Sequence, residues 1–105
     1  MLAMSQNRIM TLTELRQVKR DEILRLASSY GARNVRVFGS CARGDNSRSS
    51  DVDFLVDLEP GRTLMDLGGL LMELQDLLQT RVDVSTLNML RPKVKEAAAR
   101  DAVPL

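Results

Sequence analysis

Two short stretches hold the residue types that phosphoryl chemistry needs. Val37-Phe38-Gly39-Ser40 ends an apolar, strand-like run in a Gly-Ser pair. Ten residues after that pair, Ser50-Asp51-Val52-Asp53-Phe54-Leu55-Val56 opens a second such run with two aspartates. Residues i and i+2 of a strand share a face, so Asp51 and Asp53 point the same way, close enough to share metal ions. Asp83, inside Arg81-Val82-Asp83-Val84, places a third carboxylate on a later strand. If the two strands are neighbours, the three converge. Unneutralised, they would repel one another, and some would stay protonated near neutral pH. Magnesium resolves this, because it takes hard oxygen ligands, usually one or two carboxylates with phosphates and waters. Two ions about 3.5–4 Å apart clamp the attacking and leaving oxygens of an in-line displacement at phosphorus. One would hold a triphosphate and the other would lower the pKa of an acceptor hydroxyl. Asp83 is then the candidate general base or a ligand of the second ion.

Gly39 and Ser40 supply the other half. Backbone amides at a turn entering a helix bind phosphate oxygens, helped by the helix dipole. The glycine admits the phosphate to the backbone and the serine hydroxyl adds a donor. Arg43, one turn further, is within reach of phosphate. Each element also has an ordinary reading: Gly-Ser follows many strands, and an Asp-x-Asp pair is often a solvated strand face. Their conjunction in strand context carries the inference.

The rest of the chain must position these groups. Its 105 residues suggest one domain, with residues 1–10 as an N-terminal extension and 11–105 as the folded unit. A hydrophobic content of 44% with 28% charged residues fits an ordinary soluble protein rather than a disordered tail. A net charge of +1 makes no bulk electrostatic case for nucleic acid or membrane. The aromatics are Tyr30, Phe38 and Phe54 only, too few for a base-stacking platform. There is no histidine, which excludes Ser-His-Asp and Cys-His catalysis and every histidine-metal site. One cysteine, Cys41, with no signal peptide or long apolar span, points to the cytoplasm. Cys41 reads as a small packing residue; a thiol of lowered pKa at a helix N-terminus is the alternative.

Thr11 and Glu14 match a capping box. Behind them Leu12, Leu15, Ile23, Leu26, Ala27 and Tyr30 fall on one helical arc, with Gly31 as the stop. Val35 to Phe38 reads as a strand, Cys41 to Arg43 as the start of a short helix, Gly44 to Ser50 as a polar loop, and Val52 to Leu58 as a second strand. Pro60-Gly61 is a turn. Thr63 caps a helix to about Gln79, whose main face is Leu64, Leu67, Leu70, Leu71, Leu74, Leu77 and Leu78. Gly68-Gly69 costs that helix about 1 kcal/mol per glycine, and close approach of a neighbouring backbone would account for it. Met65 and Met72 lie one heptad apart off the leucine face, either packed beneath a loop or forming a partner-binding stripe. Arg81 to Leu87 reads as a third strand, and Pro92 to Asp101 as a final helix with proline in its first turn. Strands alternating with helices imply an α/β (α+β) fold, a small mixed sheet of three to four strands flanked by helices.

Gly39-Ser40, the ten-residue spacer, Asp51-Val52-Asp53 and Asp83 together resemble the DNA polymerase beta-type nucleotidyltransferase superfamily. The longer string Phe38-Gly39-Ser40-Cys41-Ala42-Arg43-Gly44-Asp45, followed by Ser50 to Val56, resembles one branch. That branch is the minimal nucleotidyltransferases (MNT proteins), partners of HEPN-domain toxins in prokaryotic toxin–antitoxin pairs. The resemblance covers roughly Val35 to Asp101. It implies the nucleotidyltransferase fold and an antitoxin of a type VII-like pair. Such an antitoxin transfers AMP from ATP, with magnesium, to a tyrosine of its toxin, a ribonuclease, forming a hetero-oligomer with it. It implies that Gly39 and Ser40 hold the triphosphate and that Asp51, Asp53 and Asp83 bind two magnesium ions. Two departures stand out. Gln79-Thr80-Arg81 replaces the glycine that often precedes the third strand, and the preceding helix carries Gly68-Gly69. Neither touches the metal ligands.

The small size bears on the acceptor. Nucleotidyltransferases acting on tRNA or antibiotics carry extra domains for it, so here the acceptor must bring its own binding surface. Two other readings are an antitoxin that neutralises by binding alone, and a small-molecule nucleotidyltransferase whose acceptor site forms across an oligomer interface.

Overall fold

A computed structural model describes residues 9–105. The expected N-terminal extension lies largely outside them. Met10, assigned to it, is buried in the main core.

Thr11 starts the first helix as the sequence requires, its Oγ1 accepting the Glu14 amide at 3.1 Å. The helix is not uniform. α1 (Leu12–Glu14) runs through a π-helical segment (Leu15–Lys19) into α2 (Arg20–Ser29). The wider π turn inserts an extra residue per turn, leaving Val18 64% exposed while Leu15, Ile23 and Ala27 are buried. After Gly31 the chain enters β1 (Ala32–Phe38), three residues earlier than the apolar pattern predicts. Arg33 and Asn34 are exposed, so no alternation marks that part, and the ladder shifts register between Arg33 and Arg36.

There follow α3 (Gly39–Arg43), β2 (Val52–Leu58), α4 (Leu64–Leu78), β3 (Val82–Ser85), a 3-10 turn (Leu87–Met89), α5 (Pro92–Asp101) and β4 (Val103–Pro104). β3 stops two residues before the expected Leu87, because the chain turns at Thr86 into the 3-10 segment. The sheet order is β3-β2-β1-β4, with β2 and β3 parallel and the other pairs antiparallel. This is the expected small mixed sheet flanked by helices.

Alternation along the strands divides the core. Val37, Val52, Phe54, Val56, Val82 and Val84 join the helical residues of α2 and α4 in the main core. The opposite face holds a smaller cluster of Phe38 and Leu55 packed on Ala98 of α5, with Leu87, Leu90 and Ala102 partly buried against it. Asp53 and Asp83 project on this thinly covered face.

α4 is capped by a full box. Thr63 Oγ1 accepts the Met65 amide at 3.2 Å and Asp66 Oδ2 accepts the Thr63 amide at 2.9 Å. Leu67, Leu70, Leu74 and Leu78 are buried, with Leu71 and Leu77 packed against them. Leu64 is not part of that face: at the helix start it overhangs the core and is 69% exposed. Met65 and Met72, at 86% and 65% exposed, are not packed beneath a loop; their side of α4 faces solvent. The glycine pair also has a different cause from the one expected. A Cβ at Gly69 would lie 2.5 Å from Cε1 of Tyr30, so a side-chain ring, not a backbone, makes the close approach. Gly68 faces open space.

Candidate active site

β1 is extended up to Phe38, then turns through Gly39 at φ +72° into α3. The ladder sets what this turn faces. Phe38 is opposite Asp53 in the antiparallel pair, and Asp53 is level with Asp83 in the parallel pair. Asp53 thus occupies the central rung, with the glycine turn on one side and Asp83 on the other. A Cβ at Gly39 would sit 2.6 Å from Asp53 Oδ2. Glycine is needed there twice, for the left-handed backbone and for the space against the carboxylate.

A cleft of about 460 Å³ opens between α3 and α5, lined by Gly39, Ser40, Arg43, Asp53, Lys93 and Asp101 among others. Asp51 and Asp83 are exposed at its margin. Burial pushes the Asp53 carboxyl up to about 6, with Asp83 and then Asp51 adding repulsion and Arg43 opposing it. The strands are therefore neighbours, as expected, and the carboxylates sense one another. They are not gathered into a finished cage: among the described residues no three acidic, His or Cys side chains lie close enough to hold a metal ion. The physical reason is visible at Asp51, whose Oδ1 is held by Arg81 Nε at 3.1 Å. The same guanidinium donates to the Ser49 carbonyl. The donor set fits magnesium in kind. It is all carboxylate oxygen, and a cation would offset both the burial and the added repulsion from Asp83 and Asp51 that raise Asp53.

Arg43 lines the cleft but its charge is engaged. Nε lies 3.1 Å from Asp45 Oδ2 and Nη1 lies 2.9 Å from Asp101 Oδ2, clipping α3 to α5. Hydrogen bonds to Asp45 and Asp101 hold the guanidinium above its ordinary pKa. Cys41 is a packing residue. It is 1% exposed, its thiol donates to the Met10 carbonyl at 3.4 Å, and burial, then Asp53, raises its pKa. The alternative of a lowered thiol pKa is overturned.

Three charged neighbours escaped the sequence reading. Arg81 was legible in principle, since it lies two residues before Asp83 in an extended segment and so shares its side. Lys93 and Asp101 were not, because nothing local says that α5 packs beside α3.

The profile of the nucleotidyltransferase domain family matches residues 19–105. A Methanocaldococcus jannaschii protein, assigned by name as a protein adenylyltransferase, is 35% identical over 89 residues, 85% of this chain and 95% of that protein. The protein adenylyltransferase MntA of Thermococcus cleftensis is 33% identical over 95 residues, 90% of this chain and 96% of that protein. A solved structure described as a minimal nucleotidyltransferase superposes with a TM-score of 0.78 at 45% identity, over 91% of this chain and 97% of that one. At the level of fold alone, the chain is similar to the structure of a tri-AMPylated Shewanella oneidensis HEPN toxin in complex with its MNT antitoxin. There the TM-score is 0.64 at 16% identity, over 85% of this chain and 70% of that one.

Proposed function

This chain belongs to the nucleotidyltransferase domain family and is a nucleotidyltransferase, and from that premise we propose that it is the antitoxin of a HEPN/MNT toxin–antitoxin pair. In this reading it works in the cytoplasm, as a single nucleotidyltransferase domain over residues 11–105, and moves AMP from ATP onto a tyrosine of its toxin. The observation that carries the chemistry is the central rung: Asp53 between the Gly39 turn and Asp83. The partner rests on the names of the adenylyltransferase relatives and on the toxin-bound antitoxin of like fold.

The residues divide the work by position. Gly39 leaves the backbone open to the triphosphate, and Ser40 adds a hydroxyl donor on the cleft wall. Arg43 braces that wall, its charge spent on Asp45 and Asp101. Asp51, Asp53 and Asp83 would hold two magnesium ions, which supply charge neutralisation at phosphorus and acidify the acceptor hydroxyl. A metal at Asp51 would compete with Arg81, which holds Oδ1 at 3.1 Å. The tyrosine oxygen attacks the α-phosphorus, the bond to diphosphate breaks, and the phenolic proton passes to Asp83 or to solvent. Asp83 suits the acceptor side because it is exposed on the rung beyond Asp53. Among the described residues no helix is long and apolar enough to cross a membrane.

A second reading, neutralisation by binding alone, draws on the exposed Met65 and Met72. One experiment separates the two. The protein is incubated with labelled ATP, magnesium and the HEPN protein encoded beside it, in parallel with an Asp51→Ala plus Asp53→Ala variant. Label on the partner that vanishes with the variant supports transfer. Neutralisation that persists in the variant without label sinks it and favours occlusion.

A further inference from the structure

The cleft beside Asp53 has a charge balance that the sequence motifs do not explain. Its charged lining consists of Arg43, Asp53, Lys93 and Asp101. Arg43 is committed to Asp45 and Asp101. Lys93, among the described residues, pairs with no carboxylate. It is therefore the cleft's one uncommitted cation among the described residues, and it is exposed.

Its place in α5 is also unfavourable for folding. The first turn of α5 contains Lys93 and Lys95 and no acidic residue, and Arg91 at the N-cap makes no side-chain cap. Cations at a helix N-terminus oppose the macrodipole, where Asp or Glu would stabilise. Lys93 shares a helical face with Ala97 and Asp101, four and eight residues on, and all three line the cleft. Asp101 anchors the α3 wall at one end of that face. Lys93 projects about 12 Å away along the axis, at the rise of 1.5 Å per residue.

We propose that Lys93 binds the β- and γ-phosphates of the nucleotide, a role that rests on the nucleotidyl-transfer reading above. With the α-phosphorus at Asp53 and the Gly39 turn, the triphosphate runs along the cleft toward the start of α5. As the acceptor oxygen bonds to the α-phosphorus and the bond to the diphosphate oxygen breaks, the electron pair stays on the diphosphate. Lys93 meets that growing charge, an interaction stronger in the transition state than before it. Arg43, already neutralised, shapes the wall; Lys93 supplies the charge.

The test is calorimetric binding of AMP-PNP and of AMP, each with magnesium, to the intact protein and to Lys93→Gln, Lys93→Arg and Lys95→Gln. A charge-assisted phosphate contact predicts that Lys93→Gln weakens AMP-PNP by about tenfold or more and leaves AMP within about twofold. Lys93→Arg recovers most of the loss. Lys95→Gln, the same charge on the same turn but outside the cleft lining, stays near the parent. Thermal unfolding of Lys93→Gln is expected at or slightly above the parent temperature, since a misplaced cation is removed. Equal AMP-PNP affinity in Lys93→Gln overturns the assignment, as does an equal loss for AMP or for Lys95→Gln. If the unmodified protein binds no AMP-PNP, the nucleotide reading itself fails and the assignment falls with it.

Discussion

Gly39→Ala should damage the site more than the fold, and Gly44→Ala can prove it. Both glycines have left-handed backbone, at φ +72° and +84°. An L-residue there costs about 1–2 kcal/mol. Their surroundings differ. A Cβ at Gly44 meets nothing within 4 Å, whereas one at Gly39 lies 2.6 Å from Asp53 Oδ2. Contact with a carboxylate oxygen needs more than 3 Å, so Asp53 must turn aside or β1 and β2 must part. Turning the carboxylate is cheaper, because only its end is in the way. The stability loss should therefore be similar in the two variants, about 1–2 kcal/mol, or roughly 4–15 °C for a domain of this size. Activity should separate them: a reacting group displaced by about 1 Å costs on the order of 100-fold. Urea unfolding, with diphosphate release under saturating ATP, magnesium and the HEPN partner as acceptor, measures both quantities. If Gly39→Ala turns over within twofold of Gly44→Ala, the Gly39–Asp53 approach has no role in catalysis.

Gly68→Ala should stabilise the protein by about 0.8–1 kcal/mol through helix propensity alone, since its side is open. Gly69→Ala should lose that gain to the Tyr30 ring 2.5 Å away, and urea midpoints of the two variants will show the difference. The raised pKa of Asp53, to about 6, means the folded state holds a proton that the unfolded state has released above about 4. Its contribution to stability is therefore fullest below its ordinary range and falls as pH rises through about 6. Asp53→Asn should flatten that fall when the two proteins are compared by urea unfolding in EDTA between pH 4 and 7; parallel profiles would contradict it. Met65→Ser, at a position 86% exposed, should change stability by no more than about 0.5 kcal/mol, which thermal unfolding can check.

Local pattern made much of the architecture legible. β2 and α5 begin and end where alternation, proline and the apolar run place them, and the Thr11 and Thr63 caps form as their spacing requires. Elements failed where the pattern was silent. The first three residues of β1 are mostly polar, and the π turn after Glu14 leaves no mark in composition. Leu64 and Met65 show the limit of periodicity: it ranks positions around a helix but cannot say where the helix leaves the sheet that covers it. Gly69 needed Tyr30, which is distant in sequence and adjacent only after α2 and α4 pack.

At the site the division is sharper. Period-two alternation predicts Asp51 and Asp53 on one face, and the Gly-Ser pair predicts a turn that could receive phosphate, because both expectations depend only on backbone geometry within a few residues. Strand pairing decided the rest. It set Asp53 level with Asp83, brought the Gly39 turn against its carboxylate, and half-buried it so that its proton affinity rose. Helix packing then laid α5 along the cleft, committing Arg43 to Asp101 and leaving Lys93 free. The sequence by itself determined which chemistry the chain carries, since that is a matter of residue type and local spacing. Only the tertiary structure decided which charges are spent and which remain available, because Coulomb interactions depend on distance through space and not on separation along the chain.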